Sequence, residues 1–488
     1  MEPDAKMALT DPRTLSMVSV EMGDQGSRDD VQQHSEERPS STLDIAPNTD
    51  LEDTNNASSS SHYGEGQHLT RVPSSVNGVS VGGKVTLSGL TMNLIAGGLG
   101  TGMFSLPSSM SGSSVFLGVG MTFMVVSLNA VTIMILVRAA EEHQVFDLGA
   151  LMGLAGNALG RKLNFARMGT YTQGFINFMV WFVLVGSLVS YLIAMHDSAA
   201  FFLQDTWFTS SKLPLVTAAA GIVLGLCFLE QKHLSWTSTI ALVVNVYLII
   251  VLVGYFFDKL AHNSLPEDVC LFGVAKGAVS MLAILAQCVI IQMCVLPMYE
   301  ELEDRSPKKF SKGLWTAFLA LSVIFSVFAG TGYASFGPGV KGNVLDSFPP
   351  GAISAVAQVG VILVVAAIYP LMVIPMVAPI KNMELSESMS HRRGMLVTGA
   401  ILIIVFISWV GALVIPNLFL VNLIDGAICV GTFTALAPGL VGLYLSNRDS
   451  LLWRLGMAAL LLFGFTNMIL GLVFSDAYVV ELKERCAF

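Results

Sequence analysis

The stretch Asn93-Leu-Ile-Ala-Gly97-Gly98-Leu-Gly100-Thr101-Gly102-Met-Phe-Ser-Leu-Pro107 decides the fold. It lies inside an apolar segment, about 86–110, of the length that crosses a hydrocarbon core of ~30 Å. Within it, each glycine costs about 1 kcal/mol of helix propensity relative to alanine, and the proline removes a backbone donor. A membrane helix written this way is expected to break. Unpaired backbone inside a bilayer is tolerated only where protein or a water-filled cavity satisfies it. Such breaks aim freed amides at an anionic group and freed carbonyls at a cation, and an amino-acid carboxylate fits the amides. The competing reading is that the glycines only let helices pack closely.

Working outward, the rest of the chain has the same solvent in view. Of 488 residues, 53% are hydrophobic and 12% charged, with a mean hydropathy of +0.67. About 25% charged is usual for soluble domains. The apolar residues fall into eleven segments, about 86–110, 114–138, 170–196, 214–229, 236–257, 272–298, 312–335, 352–380, 395–416, 420–446 and 452–474. The expected class is an all-α polytopic membrane protein with a transmembrane domain over 85–475 and a short tail over 476–488.

Residues 1–84 read differently. They hold fourteen Asp/Glu and six Lys/Arg, with Tyr63 as the lone aromatic, which accounts for nearly all of the net charge of −9. A segment so poor in apolar residues is expected to be a disordered acidic tail, with cytosolic partners as its sharper role. No apolar stretch of the kind that marks a cleavable signal peptide opens the chain. The loops of one side carry fourteen Lys/Arg, among them Arg161, Lys162, Arg305, Lys308 and Arg393. The opposite loops and the C-terminal tail carry five, Lys212, Lys259, Lys341, Lys483 and Arg485. The positive-inside rule then places residues 1–84 in the cytoplasm and the C-terminus outside or luminal. The sequon Asn56-Ala57-Ser58 falls in the cytoplasmic tail.

Other interruptions fall in the sixth, eighth and tenth segments. The sixth reads Gln287-Cys-Val-Ile-Ile-Gln292-Met-Cys-Val-Leu-Pro297-Met-Tyr299-Glu300-Glu301, with two amides and a proline. Segments one and six would correspond if two five-helix halves were related by inverted symmetry, and paired interruptions point to a transporter site. Asp425, in Leu423-Ile-Asp425-Gly426-Ala, is the one acidic residue well inside a segment, and an intramembrane carboxylate is a functional hypothesis by default. It is a candidate for proton coupling or for an outer gate; the alternative is a structural carboxylate bonded to neighbouring helices. His196-Asp197 reads as interfacial, and Lys276 as snorkelling to water. Cys227, Cys288, Cys294 and Cys429 lie in apolar segments as small hydrophobes. No CxxC, HExxH, GxSxG or Walker-type GxxxxGK[ST] pattern is present, so no metal site, cofactor, enzyme activity or ATP-driven pumping is expected. Nothing suggests nucleic acid as a partner.

Four stretches resemble the amino acid/auxin permease family, which contains the neutral amino-acid transporters. Gly100-Thr-Gly-Met-Phe-Ser-Leu-Pro107 resembles its G-x-G-x-L-x-L-P, and Val295-Leu-Pro-Met-Tyr-Glu-Glu-Leu-Glu-Asp304 its L-P-x-Y-x-E-L-x-D. Gly186-Ser-Leu-Val-Ser-Tyr191 resembles the family's third span, and Tyr369-Pro370 through Pro375 its double-proline eighth span. The resemblance implies a LeuT-type 5+5 inverted repeat with about 11 transmembrane helices and alternating access. It implies an amino-acid substrate held by Gly98, Gly100, Thr101, Gly102, Tyr191, Gln287 and Gln292, with Asn93, Asp425 and Tyr369 in coupling or gating. Two departures matter. The asparagine of sodium-coupled members is replaced by Ala96, with Asn93 one helical turn earlier. The hydroxyl before the first proline of span eight is missing from Ala366-Ala367-Ile368-Tyr369. Hard cations want several oxygen ligands, so protons are the expected coupling ion. The chain is thus expected to be a secondary amino-acid symporter in the plasma membrane or an acidic organelle. The alternative is a transporter-like sensor or scaffold signalling through its tail.

Overall fold

A computed structural model describes residues 85–203, 211–228, 237–273, 277–381, 390–448 and 450–473. The acidic tail with its sequon, Lys276 and the C-terminal tail lie outside the described residues. Regular structure among the described residues is helical, apart from one isolated parallel bridge between Val85 and Leu302.

Helix α1 (Leu87–Gly98) starts where the Thr86 hydroxyl accepts from the Gly89 amide, and stops at the paired glycines. Leu99 then leaves helical geometry at φ −89°, ψ 61°, and Gly100 is extended. The chain resumes as a 3-10 turn, Thr101–Ser105, and the short α2 (Leu106–Met110), with Pro107 in its first turn, where no amide is needed. The first segment is therefore two half-helices joined at Leu99–Gly100. The sixth breaks as well: α8 (Ala278–Cys288) is followed by irregular backbone to α9 (Val295–Glu300).

Between these lie α3 (Val115–His143), α4 (Leu148–Leu163), α5 (Met168–Ala200), α6 (Leu213–Cys227) and α7 (Thr237–Ala261). After them come α10 (Pro307–Phe336), α11 (Ala352–Lys381), α12 (Ser390–Val414), α13 (Leu418–Cys429), α14 (Ala437–Tyr444) and α15 (Leu451–Val473). A π-helical turn, Val430–Leu436, joins α13 to α14. Pro438 lacks the amide that would pair with a carbonyl in this turn, and within the turn Thr432 donates its hydroxyl to the Ile428 carbonyl at 2.7 Å.

Among the described residues, eight helices are long and apolar enough to cross a membrane, counting α13 to α14 as one; the remaining apolar segments hold the two broken helices and the shorter α6. Large apolar side chains such as Ile250, Ile403 and Leu462 are exposed, as a lipid-facing surface requires. The α13–α14 segment is 83% buried over its most apolar window, against 22% for α7 and α15. It runs through the middle of the bundle. It approaches α8 so closely that a Cβ at Gly426 would fall 1.9 Å from the Ala283 carbonyl oxygen.

Helix α4 was not among the eleven expected segments. Asp147 caps it by accepting from the Ala150 amide at 2.7 Å, and its glycines lie against α5, where a Cβ at Gly156 would meet Gly169 Cα at 2.9 Å.

The α8–α13 contact gives a stability prediction. Gly426→Ala must displace backbone, so it should cost about 1–3 kcal/mol, whereas Gly221→Ala, which meets open space, should be neutral. Thermal unfolding of the two purified variants, followed side by side, checks this.

Candidate functional site

The break in the first segment frees backbone. Among the described residues, the amides of Gly100, Thr101 and Gly102 make no backbone hydrogen bond, while the Gly100 carbonyl accepts from Met103 and the Ala96 carbonyl from Leu99. Gly100 and Thr101 line a central cavity of about 20 Å³, enclosed by α5, α7 and α11. That volume suits about one water molecule, so an amino acid enters only if the bundle opens around it. The walls are apolar, including Phe104, Leu248, Val361, Val365 and Ile368. Tyr191 reaches the same cavity from α5, and its hydroxyl has no hydrogen-bond partner among the described residues. Two residues with free amides, Gly100 and Thr101, and the Tyr191 hydroxyl therefore border one apolar hole, an arrangement suited to an anionic group, while Gly102 lies beside them against the sixth segment.

Gly102 and the sixth segment meet directly. A Cβ there would stand 3.1 Å from Cys288 Sγ and 3.5 Å from Gln287 Cγ. The Gln287 Nε2 donates to Asp425 Oδ2 at 3.2 Å, and Cys429 Sγ donates to Gln287 Oε1 at 3.5 Å. Asp425 is 2% exposed and fills the space opposite Gly186, where any Cβ would collide with its carboxylate. Among the described residues no cationic side chain pairs with it. One turn earlier, Asn422 accepts from the Ser190 hydroxyl and donates to Ser105 Oγ, both at 3.0 Å. These contacts tie α13 to α5, to α8 and to the broken first segment.

A second polar knot lies deeper along the bundle. Gln292 donates to Asn129 Oδ1 at 2.6 Å, and Thr434, from the π turn, donates to the same oxygen at 3.1 Å. Gln292 thus joins α3 and the π turn rather than the central cavity. Gly98 packs on Leu321, Tyr369 is buried with its hydroxyl 2.5 Å from Ser408 Oγ, and Asn93 lies on the exposed face of α1 and lines neither cavity. The structure brings together Gly100, Thr101, Gly102, Tyr191, Gln287 and Asp425; it sets Gln292, Tyr369 and Asn93 elsewhere. Sequence reasoning passed over Asn245, Asn422, Ser190 and Ser105. A lone amide or hydroxyl inside an apolar segment was the available signal.

Each end of the bundle has its own closure. At one end the Val85 amide donates to the Glu301 carbonyl and the Glu303 amide to the Val85 carbonyl, at 2.9 and 3.0 Å. Beside them Arg305 pairs with Glu141 at 3.1 Å and lies 4.3 Å over the Phe146 ring, while Tyr299 donates to the same Glu141 at 3.0 Å. At the other end, the segment between α10 and α11 folds over the first and third segments through a 3-10 turn, Val344–Ser347, with Val344 and Leu345 buried. Asn343 reaches Asp197 Oδ2 at 3.5 Å, Asp197 pairs with His196 at 3.0 Å, and Gln358 donates to the Leu345 carbonyl. Burial, reinforced by the negative Asp197 and opposed by Lys341, pushes the Asp346 carboxyl up to about 7.

An all-helical bundle with two broken helices that meet at Gly102, the first of them beside a small central cavity, has the LeuT-type fold. The chain is similar in structure to Mhp1, a nucleobase-cation-symport-1 family transporter, solved closed with bromovinylhydantoin bound, with a TM-score of 0.50 at 11% identity, over 84% of this chain and 96% of that one. It belongs to the family described as transmembrane amino acid transporter protein, which matches residues 83–477. It is 22% identical to amino acid transporter AVT6E of Arabidopsis thaliana, over 81% of this chain and 84% of that protein. It is 21% identical to sodium-coupled neutral amino acid symporter 2 of Danio rerio, over 60% and 64% respectively. Family and relatives are transporters, so the chain is an integral, multi-pass membrane transporter and not an enzyme.

Asp346 yields a pH prediction with a defined sign. Its pKa in the packed segment, about 7, exceeds the ~4 of a free carboxyl. The packed state therefore binds the proton more tightly. The stability this contributes is fully present below about pH 4 and is lost as pH rises through about 7. Hydrogen exchange of residues 337–350, corrected for intrinsic rates, should quicken several-fold from pH 5.5 to 8, and Asp346→Asn should flatten that response.

Proposed function

We propose that this protein moves amino acids across a membrane by alternating access, coupled to protons rather than sodium. The observation that carries the reading is that Gly100 and Thr101, with free amides, and Tyr191, with an unpartnered hydroxyl, line one apolar cavity. Those donors take the substrate carboxylate, and the apolar walls take a neutral side chain. An amide left unpaired away from water costs about 1–3 kcal/mol, which a bound carboxylate recovers. The name of the Arabidopsis thaliana relative supports the same substrate class.

Protons are favoured on two grounds, although the Danio rerio relative is named as sodium-coupled. The positions that resemble sodium ligands, Ala96 and Ala366 to Ile368, offer no side-chain oxygen. The Leu99 carbonyl, freed by the break, is already held by the Asn245 amide at 3.0 Å. Asp425 supplies the alternative: proton uptake removes an uncompensated charge from the bundle interior. Its Gln287 partner packs against Gly102, so a change at the carboxyl reaches the substrate amides through two contacts. A transporter-like sensor remains the second reading, since residues 1–84 carry an acidic, apolar-poor sequence that transport itself does not call for; solute flux by the purified chain separates the two.

Uptake of a labelled amino-acid panel into liposomes should follow an imposed inward proton gradient with or without sodium. Asp425→Asn should lose the wild-type rise in uptake between pH 7.5 and 5.5. Strict sodium dependence of the wild type would overturn the proton reading. Gly100→Ala adds a Cβ in open space beside the cavity, so it should assemble normally yet raise KM at least about tenfold.

The eleven segments are proposed as eleven spans with residues 1–84 cytoplasmic. The backbone bonds of Val85 to Glu301 and Glu303, in the loop that carries Arg305 and Lys308, support this reading. In sealed cells or vesicles of known orientation, an impermeant thiol reagent should label Lys341→Cys from the external or luminal side and should leave Ser40→Cys unmodified. The reverse pattern would invert the topology.

A further inference from the structure

The cavity is lined by three polar side chains, Thr101, Tyr191 and Asn245, and by no Asp, Glu, Lys or Arg. Asn245 comes from α7 and is only 5% exposed. Its Nδ2 donates to the Leu99 carbonyl at 3.0 Å. A carbonyl can only accept, so this contact fixes which way the carboxamide faces. The amide group is committed to the break, and Oδ1 is left as an acceptor with no donor among the described residues.

We propose that Asn245 is a substrate-binding residue whose Oδ1 accepts a hydrogen bond from the α-ammonium group of the transported amino acid. The role rests on the amino-acid reading above and adds the other end of the molecule to it. In an α-amino acid one carbon separates carboxylate from ammonium. Asn245 is tied to Leu99, the residue before the Gly100–Gly102 amides, so its free oxygen stands beside the carboxylate donors. The backbone acceptors at the break are engaged: the Leu99 carbonyl by Asn245 itself, the Ala96 carbonyl by Leu99 and the Gly100 carbonyl by Met103, while the Thr101 and Tyr191 hydroxyls serve the carboxylate as donors. With no anion in the lining, a neutral oxygen must meet the ammonium. The site therefore demands an N–H at the α position, and a desamino acid leaves Oδ1 desolvated and unpaired.

The test measures binding of L-alanine, L-leucine and L-glutamine to full-length protein, each against its own desamino acid, by inhibition of uptake into liposomes. Wild type should prefer the amino acid by about 100-fold or more. Asn245→Leu should cut that preference at least about tenfold. Asn245→Asp keeps an acceptor but loses the donor to Leu99, so it should bind more weakly yet keep most of the preference. If Asn245 only braces the break, both variants weaken amino acid and desamino acid alike, and an unchanged ratio overturns this role alone. If none of the three amino acids binds wild type, the amino-acid reading falls and takes this role with it.

Discussion

Three consecutive backbone amides without partners, in the middle of an apolar bundle, are the constraint on which the rest of the structure depends. In hydrocarbon each costs about 1–3 kcal/mol if left unmade, so the surrounding helices must either satisfy them or keep a cavity beside them. The bundle does both in part. Asn245 secures the Leu99 carbonyl and Asn422 secures Ser105, while Gly100 and Thr101 between them line the cavity. A break held at both ends and open in the middle is the arrangement on which the proposed binding site rests.

The same economy explains why α13 lies at the centre. It touches the break, the third segment and the sixth segment with polar side chains. Its glycine against Ala283 and the glycine of α5 against Asp425 bring backbones close enough for those short polar side chains to reach. Small residues here serve both close packing and polar contact. The π turn that follows gives Thr434 the angle to meet Asn129, a contact a regular helix in that register would not provide.

Legibility of the fold in the sequence followed the strength of each physical signal. The break at Gly97 to Gly102 was readable because glycine and proline act locally. The class was readable because length and hydropathy are local sums. Helix α4 was not, since its amphipathic, glycine-striped sequence reads as a polar loop until α5 is placed beside it. Pairings were not readable either. Gln287 and Asp425 each stood out singly, yet they lie 138 positions apart and nothing along the chain joins them. Asn245 left the weakest trace, one amide amid valines and leucines whose partner is a carbonyl 146 positions away.

Closure at the two ends rests on different chemistry, and that difference bears on how the cycle is driven. The Val85 side is joined by two backbone bonds and an Arg305–Glu141 pair beside the Phe146 ring. The opposite side is joined through Asn343, Asp197 and the neighbouring Asp346, whose carboxyl titrates near 7. Acidifying the compartment beyond that side therefore tightens its own closure. Under the proposed proton coupling, a gradient directed inward through it would load a carboxyl in the bundle and, once the substrate is seated, favour sealing behind it. Such a bias needs no moving part besides the packed loop, because it lies in a closure that binds a proton more tightly when packed.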